Sequence, residues 1–156
     1  MKNDIKNILI TGSSSGIGLE AAKLLCQDGH NLILPCRNES RAEYLLLKIE
    51  EYKNLKCNSS QNIQAPILDL SKIKSVKKFS ENLLKSKEKI DILILNAGLQ
   101  YTGSPSPRWS EDGFELTFAV NQLSHQCLAQ ILIPSLSKST KPRIIITSSE
   151  VHNPLT

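Results

Sequence analysis

A doubly wound α/β domain, one parallel sheet with helices on both faces, is the fold this sequence predicts, and three observations predict it. Short runs rich in Ile and Leu recur down the chain without polar alternation, as parallel strands buried on both faces should. Helical segments separate them. Strand alternating with helix over the full length then leaves right-handed crossovers onto one sheet as the simplest winding.

The length of 156 residues suits one domain with a real core, and 40% apolar against 22% charged residues excludes a disordered chain. The net charge of +4 owes much to Lys72, Lys74, Lys77, Lys78, Lys85, Lys87 and Lys89, which interleave with apolar positions. That pattern is a solvated helix face, so no nucleic-acid partner is expected. Cys26, Cys36, Cys57 and Cys127 form no Cys-x-x-Cys pair and have no His at ligand spacing, so no metal is expected. The amino-terminal MKNDIKN leads into an apolar run too brief for a signal-peptide core or a transmembrane segment, and a cytoplasmic location follows. Asn58-Ser59-Ser60 matches a glycosylation acceptor, accidental without a secretory route.

Five strands are expected at Asn7–Ile10, Asn31–Leu34, Ile63–Leu68, Asp91–Leu95 and Arg143–Thr147, with four helices between them. The first helix runs from about Gly16 to Asp28 and stops at Gly29, suited to a left-handed cap. The third opens at Ser71 as N-cap and carries Ile73, Val76, Phe79 and Leu83 at helical spacing. Asn54–Asn62 reads as a polar loop, and Tyr101–Ser110, with Pro105 and Pro107, as a longer one. In the fourth helix Phe118, Asn121, His125, Leu128 and Leu132 share a stripe, so Asn121 and His125 need polar partners in an apolar setting.

The chemistry gathers at the carboxyl ends of these strands. Thr11-Gly12-Ser13-Ser14-Ser15-Gly16-Ile17-Gly18 follows the first strand and opens a helix, the context in which glycines let the backbone approach a pyrophosphate and a helix amino terminus attracts it. The second strand ends in Cys36-Arg37-Asn38 with no carboxylate for a ribose 2′-hydroxyl. Arg37 would instead neutralise a 2′-phosphate, its other reading being a surface arginine at a loop start. Asp69-Leu70 ends the third strand, with Asp69 placed for an adenine amino group or simply as a turn residue. Asn96-Ala97-Gly98 makes a glycine turn after the fourth strand that lets a cofactor pass close over the backbone.

Thr11–Gly18, Asp69-Leu70, Asn96-Ala97-Gly98, Asn121 and Ser148-Ser149, in this order, resemble the short-chain dehydrogenase/reductase family from the first residue to the last. Cys36-Arg37, Asp112-Gly113-Phe114-Glu115 and Val120-Asn121-Gln122-Leu123-Ser124-His125 resemble its branch of retinol dehydrogenases and light-dependent protochlorophyllide reductases. Gln122 and Ser124 stand where His and Gly are common there. The resemblance implies a Rossmann-like sheet, NADP(H) as cofactor, and hydride transfer to a carbonyl or conjugated double bond of a small, apolar substrate. It implies that Ser149 polarises the substrate and Asn121 fixes a water in a proton relay. From the residues alone, Ser149 also reads as a loop serine capping the next element, and Asn121 and His125 read more readily as satisfied core polar groups.

The family's Tyr-x-x-x-Lys lies downstream of the serine, whereas a match upstream of it, Tyr44-Leu45-Leu46-Leu47-Lys48, falls in the second helix and is a decoy. The expectation is an NADP(H)-binding domain over residues 1–156, truncated after the fifth strand: an amino-terminal fragment of a reductase, inactive alone, with Ile144, Ile145 and Ile146 on an exposed edge. The alternative is a non-catalytic nucleotide-binding or interaction module that pairs through that edge. Oligomeric state is not inferable.

Overall fold

The computed structural model describes residues 4–56, 61–101 and 106–149; Cys57, the Asn58-Ser59-Ser60 tripeptide, Pro105 and the chain from Glu150 onward lie outside them. Strands β1 (Asn7–Ile10), β2 (Asn31–Ile33), β3 (Ile63–Gln64), β4 (Ile92–Leu95) and β5 (Arg143–Ile146) form one parallel sheet in the order β3-β2-β1-β4-β5. Helices α1 (Gly16–Gln27) and α2 (Glu39–Lys56) pack on one face and α3 (Ile73–Lys85) on the other. Beside α3 lies a longer helical stretch made of α4 (Leu116–Phe118), a π-helical turn (Ala119–Leu123) and α5 (Ser124–Leu136).

Strand alternation builds a core on each face. Successive side chains of a strand point to opposite sides. Ile8 and Ile10 therefore join Leu19, Ala22, Leu45 and Ile49 from α1 and α2, while Leu9 between them joins Val76, Phe79, Leu128 and Leu132 from α3 and α5. Ile8, Leu9 and Ile10 are all fully buried, which is why the run carries no polar alternation. α1 gives way at Gly29, whose φ of +84° is the left-handed conformation expected there.

The order of strands creates the site. From β1 the chain winds outward through β2 to β3, then returns to lay β4 on the other side of β1. Connections leaving the carboxyl ends of β1 and β4 diverge, and a crevice opens between them. The opposite end of the sheet is held by Asp91, 2% exposed, whose carboxylate accepts hydrogen bonds from the Asn7 N–H and the Ser139 hydroxyl and pairs with Lys89 at 3.0 Å. β5 is an outer strand, with Ile144, Ile145 and Ile146 between 44% and 69% exposed.

Four local expectations need correction. β3 is only Ile63–Gln64, continued by a single bridge between Cys36 and Ile67, because Pro66 has no N–H for the ladder. Ser71 does not cap α3; its hydroxyl donates to Asp69, Lys72 takes the N-cap position, and the Ile73 N–H is accepted by Asp112 from a distant loop. α2 runs on through Asn54–Lys56, where no glycine or proline stops it. The stripe in the fourth helix breaks as well: His125, Leu128 and Leu132 are buried, but Phe118 and Asn121 are exposed. A π-helical turn inserts an extra residue and rotates what precedes it out of register.

Candidate functional site

The turn after β1 is compact because Gly12 and Gly18 touch other backbone. A Cβ on Gly12 would lie 2.6 Å from the Ala97 Cα, and one on Gly18 would lie 2.3 Å from the Gly12 carbonyl oxygen and 2.6 Å from the Asn96 amide nitrogen. Asn96 secures the turn from β4. Its side-chain N–H groups donate to the Thr11 and Gly12 carbonyls (3.1 and 3.3 Å), and its oxygen accepts from the Thr147 hydroxyl. Helix α1 begins directly beyond, with no side-chain cap from Ser15 and no acidic residue in its first turn. Its terminal N–H groups and positive potential face the crevice without a competing carboxylate.

That crevice has a volume of about 680 Å³. Gly12, Ser14, Ser15, Ile17, Gly18, Arg37, Asp69, Leu70, Asn96, Ala97 and Gly98 line it. Ser13, Gly16, Asn121 and Ser149 do not. Ser13 is buried beneath the turn with its hydroxyl unpartnered, and Gly16 faces solvent at the start of α1. Ser149 is exposed just past β5, two residues beyond Thr147, which does line the crevice. The Tyr44–Lys48 pair sits on the outer face of α2, away from the crevice, where Lys48 pairs with Glu51 at 2.8 Å.

The two ends of the crevice differ in chemistry. At the β2 end Arg37 is joined by Arg41, and both are exposed. Asn38 accepts the Arg41 N–H as an N-cap would, which starts α2 between the two arginines. Asp69 lies nearby with Oδ1 accepting from the Ser71 N–H and hydroxyl, and Lys72 pairs with Glu111 across this edge. The other side is apolar, formed by Leu99, Tyr101, Trp109, Leu116 and Val120, with the Arg108 guanidinium 4.0 Å from the centre of the Tyr101 ring.

Beneath the turn lies a buried polar hub. The Thr11 hydroxyl oxygen accepts the N–H groups of Asn96 and Ala97 and meets His125 Nε2 at 2.9 Å. His125 Nδ1 lies 3.1 Å from the Asn121 carbonyl. The Asn121 side chain makes two hydrogen bonds with Leu99: Oδ1 accepts its N–H and Nδ2 donates to its carbonyl, each at 2.9 Å. Burial pushes the His125 pKa below its ordinary value, opposed by the bond to the Asn121 carbonyl.

Residues 6–154 match the short chain dehydrogenase family. The chain belongs to that family. It is 36% identical over 148 residues to retinol dehydrogenase 13 of Homo sapiens, covering 94% of this chain and 42% of that protein. It is 34% identical over 150 residues to the chloroplastic protochlorophyllide reductase of Daucus carota, again over 94% of this chain but 36% of the relative. Among solved structures, an alcohol dehydrogenase from the archaeon Thermococcus sibiricus, complexed with 5-hydroxy-NADP, superposes with a TM-score of 0.76 at 29% identity, over 98% of this chain and 62% of that one. The chain thus spans less than half the length of these two curated relatives.

Within this short-chain dehydrogenase sheet, several crevice residues had not been singled out from sequence. Arg41 carries a readable signal, since a residue four positions after Arg37 at a helix start returns to the same side. Thr147, Leu99 and Leu116 carry none, because their place depends on which strands become neighbours, whereas the loop Tyr101–Ser110 reads from sequence as a contributor to the pocket, with Trp109 equally a packing anchor. Among the described residues no three His, Cys, Asp or Glu side chains are grouped to hold a metal, and no helix is long and apolar enough to cross a membrane.

Proposed function

We propose that residues 1–156 are the NADP(H)-binding part of a reductase that transfers hydride to a carbonyl or conjugated double bond of a small, apolar substrate. The observation that carries this reading is the crevice between β1 and β4, with a glycine turn and an uncapped helix terminus on its floor and two arginines at the β2 end. NADPH, when bound, supplies the hydride. The N–H groups of Ser14, Ser15 and the first turn of α1 would hold the pyrophosphate, and Arg37 and Arg41 the 2′-phosphate. Asp69 would accept from the adenine amino group. Asn96-Ala97-Gly98 would let the nicotinamide ribose lie against bare backbone, and the wall of Leu99, Leu116 and Val120 supports an apolar substrate.

On the reacting side, Ser149 would donate a hydrogen bond to the substrate oxygen, and Asn121 would hold the water that resupplies the proton. The tyrosines of this chain are Tyr44, Tyr52 and Tyr101, and both Tyr-x-x-x-Lys matches, Tyr44–Lys48 and Tyr52–Lys56, lie within α2, upstream of Ser149. The chain by itself is therefore expected to bind cofactor without turnover.

Fluorescence titration with NADPH and NADH tests the reading. Charge-assisted hydrogen bonds to the 2′-phosphate are each worth about 1.5–3 kcal/mol, so NADPH should bind roughly tenfold or more tighter than NADH, and the preference should disappear in the double variant Arg37→Ala, Arg41→Ala. Equal affinity in the unaltered chain would remove the assignment of the arginines. Binding of neither nucleotide would remove the function.

A further inference from the structure

We propose that His125 is a positioning residue: a neutral imidazole that ties Thr11, beneath the glycine turn, to the main-chain carbonyl of Asn121, and so sets how Asn121 grips Leu99 at the crevice wall. The assignment rests on the reading of the crevice as the reaction site.

The protons can be placed from partners alone. The Asn121 carbonyl only accepts, so the hydrogen between it and His125 belongs to Nδ1. In a neutral ring Nε2 is then an acceptor. The Thr11 oxygen already receives two backbone N–H groups, from Asn96 and Ala97, and of the two acceptors within reach of its own hydrogen, Nε2 at 2.9 Å and the Ile94 carbonyl at 3.4 Å, the ring nitrogen is the nearer. Each partner of the ring is thereby satisfied, with Thr11 1% and His125 5% exposed. A protonated ring would aim a second donor at an oxygen that already accepts two. The groups facing the ring, Thr11 just past β1 and Asn121 from the π-helical turn, are uncharged, and burial and the Asn121 carbonyl account for its shifted titration.

The far end of the connection is functional ground. Asn121 lies in the π-helical turn, where the helical ladder is disturbed and a side-chain donor to a main-chain carbonyl helps hold the register. Its side chain clasps both backbone groups of Leu99, which follows the Asn96-Ala97-Gly98 turn and lines the crevice. The path from Gly12 through Thr11, His125 and Asn121 to Leu99 therefore joins the cofactor turn to the apolar wall by contiguous hydrogen bonds. An apolar residue at 125 would fill the space yet leave the Thr11 hydroxyl only the more distant Ile94 carbonyl and the π-helical turn without its donor.

Three substitutions separate the two bonds: His125→Asn keeps an N–H near Nδ1, His125→Gln reaches toward Thr11, and His125→Leu removes both. In the native chain, ¹⁵N spectra of the ring should show the neutral Nδ1–H tautomer, and the Leu99 amide should titrate together with the ring as pH falls. In His125→Leu the Leu99 amide should exchange with solvent about tenfold faster or more, while Leu93 in β4 changes by less than about threefold; His125→Asn should restore Leu99, and His125→Gln should not. Equal acceleration at Leu99 and Leu93 would reduce His125 to a packing residue. An Nε2–H tautomer in the native chain overturns the proposal even if every variant fails to fold. Because none of these readouts needs a nucleotide, failure of NADPH to bind would count against the proposed function and leave this test standing.

Discussion

Gly18→Ala is the sharpest test of how the glycine turn is built. A methyl group there would sit 2.3 Å from the Gly12 carbonyl oxygen, 2.9 Å from the Gly12 carbonyl carbon and 2.6 Å from the Asn96 amide nitrogen. Ordinary contact requires about 3.5 Å, so the turn and α1 must separate by roughly 1 Å. Two of the atoms are backbone and cannot swing aside. The third belongs to the amide that holds the Thr11 and Gly12 carbonyls, so relief there sacrifices those two hydrogen bonds. Overpacking of this kind costs about 1–3 kcal/mol and each lost hydrogen bond about 1 kcal/mol, against which alanine regains about 1 kcal/mol of helix propensity. The net expectation is a loss of about 1–4 kcal/mol in urea unfolding followed by circular dichroism. NADPH affinity should fall by roughly tenfold or more, since the displaced N–H groups no longer converge on one anion. Stability within about 0.5 kcal/mol of the native chain, together with native affinity, would refute the reasoning, because it would mean that turn and helix do not pack as closely as described.

Thr11→Val keeps the shape but leaves the Asn96 and Ala97 N–H groups without their acceptor; at about 1–3 kcal/mol per unsatisfied group, chemical denaturation should show a loss of about 2–6 kcal/mol. Ser124→Ala removes the 2.6 Å hydrogen bond from a buried hydroxyl to the Leu70 carbonyl and should cost about 1–3 kcal/mol by the same measurement. For Asp91, burial raises the carboxyl pKa, but hydrogen bonds from Ser139, the Asn7 N–H and Lys89, with the charge of Lys89, outweigh it and hold the pKa below 3.8. A lowered folded-state pKa gives stability that is present above the unfolded value and lost as pH falls through the folded one. Stability should therefore decline below about pH 4, and Asp91→Asn should be less stable at pH 7 with a shallower acid decline; an unchanged acid profile would discount Asp91 as a contributor.

Much of the fold was legible because its signals are local. Ile8-Leu9-Ile10 carries no polar residue since both faces of β1 are covered, and Gly29 stands where α1 must turn left-handed. The glycine turn was legible for the same reason: Gly12 adopts a left-handed φ of +69°, and Gly18 packs on the Gly12 carbonyl six residues before it. The capping of α3 was not. Its donor is accepted by Asp112, 39 residues away, and no pattern near Ser71 predicts that.

What the sequence by itself determined is the succession of strands and helices, the glycine turn, and the absence of a carboxylate after β2. All follow from backbone sterics and side-chain period, which act within a few residues. Tertiary structure decided the rest. Period alone placed Asn121 on the buried stripe with His125, yet the π-helical turn moved it outward to clasp Leu99, while His125 stayed inside to bridge to Thr11, 114 residues earlier. A polar group withdrawn from water must find a partner wherever the chain brings one. Which partner that is depends on β4 returning beside β1, an outcome of packing two cores against one sheet, and no stretch of sequence records it alone.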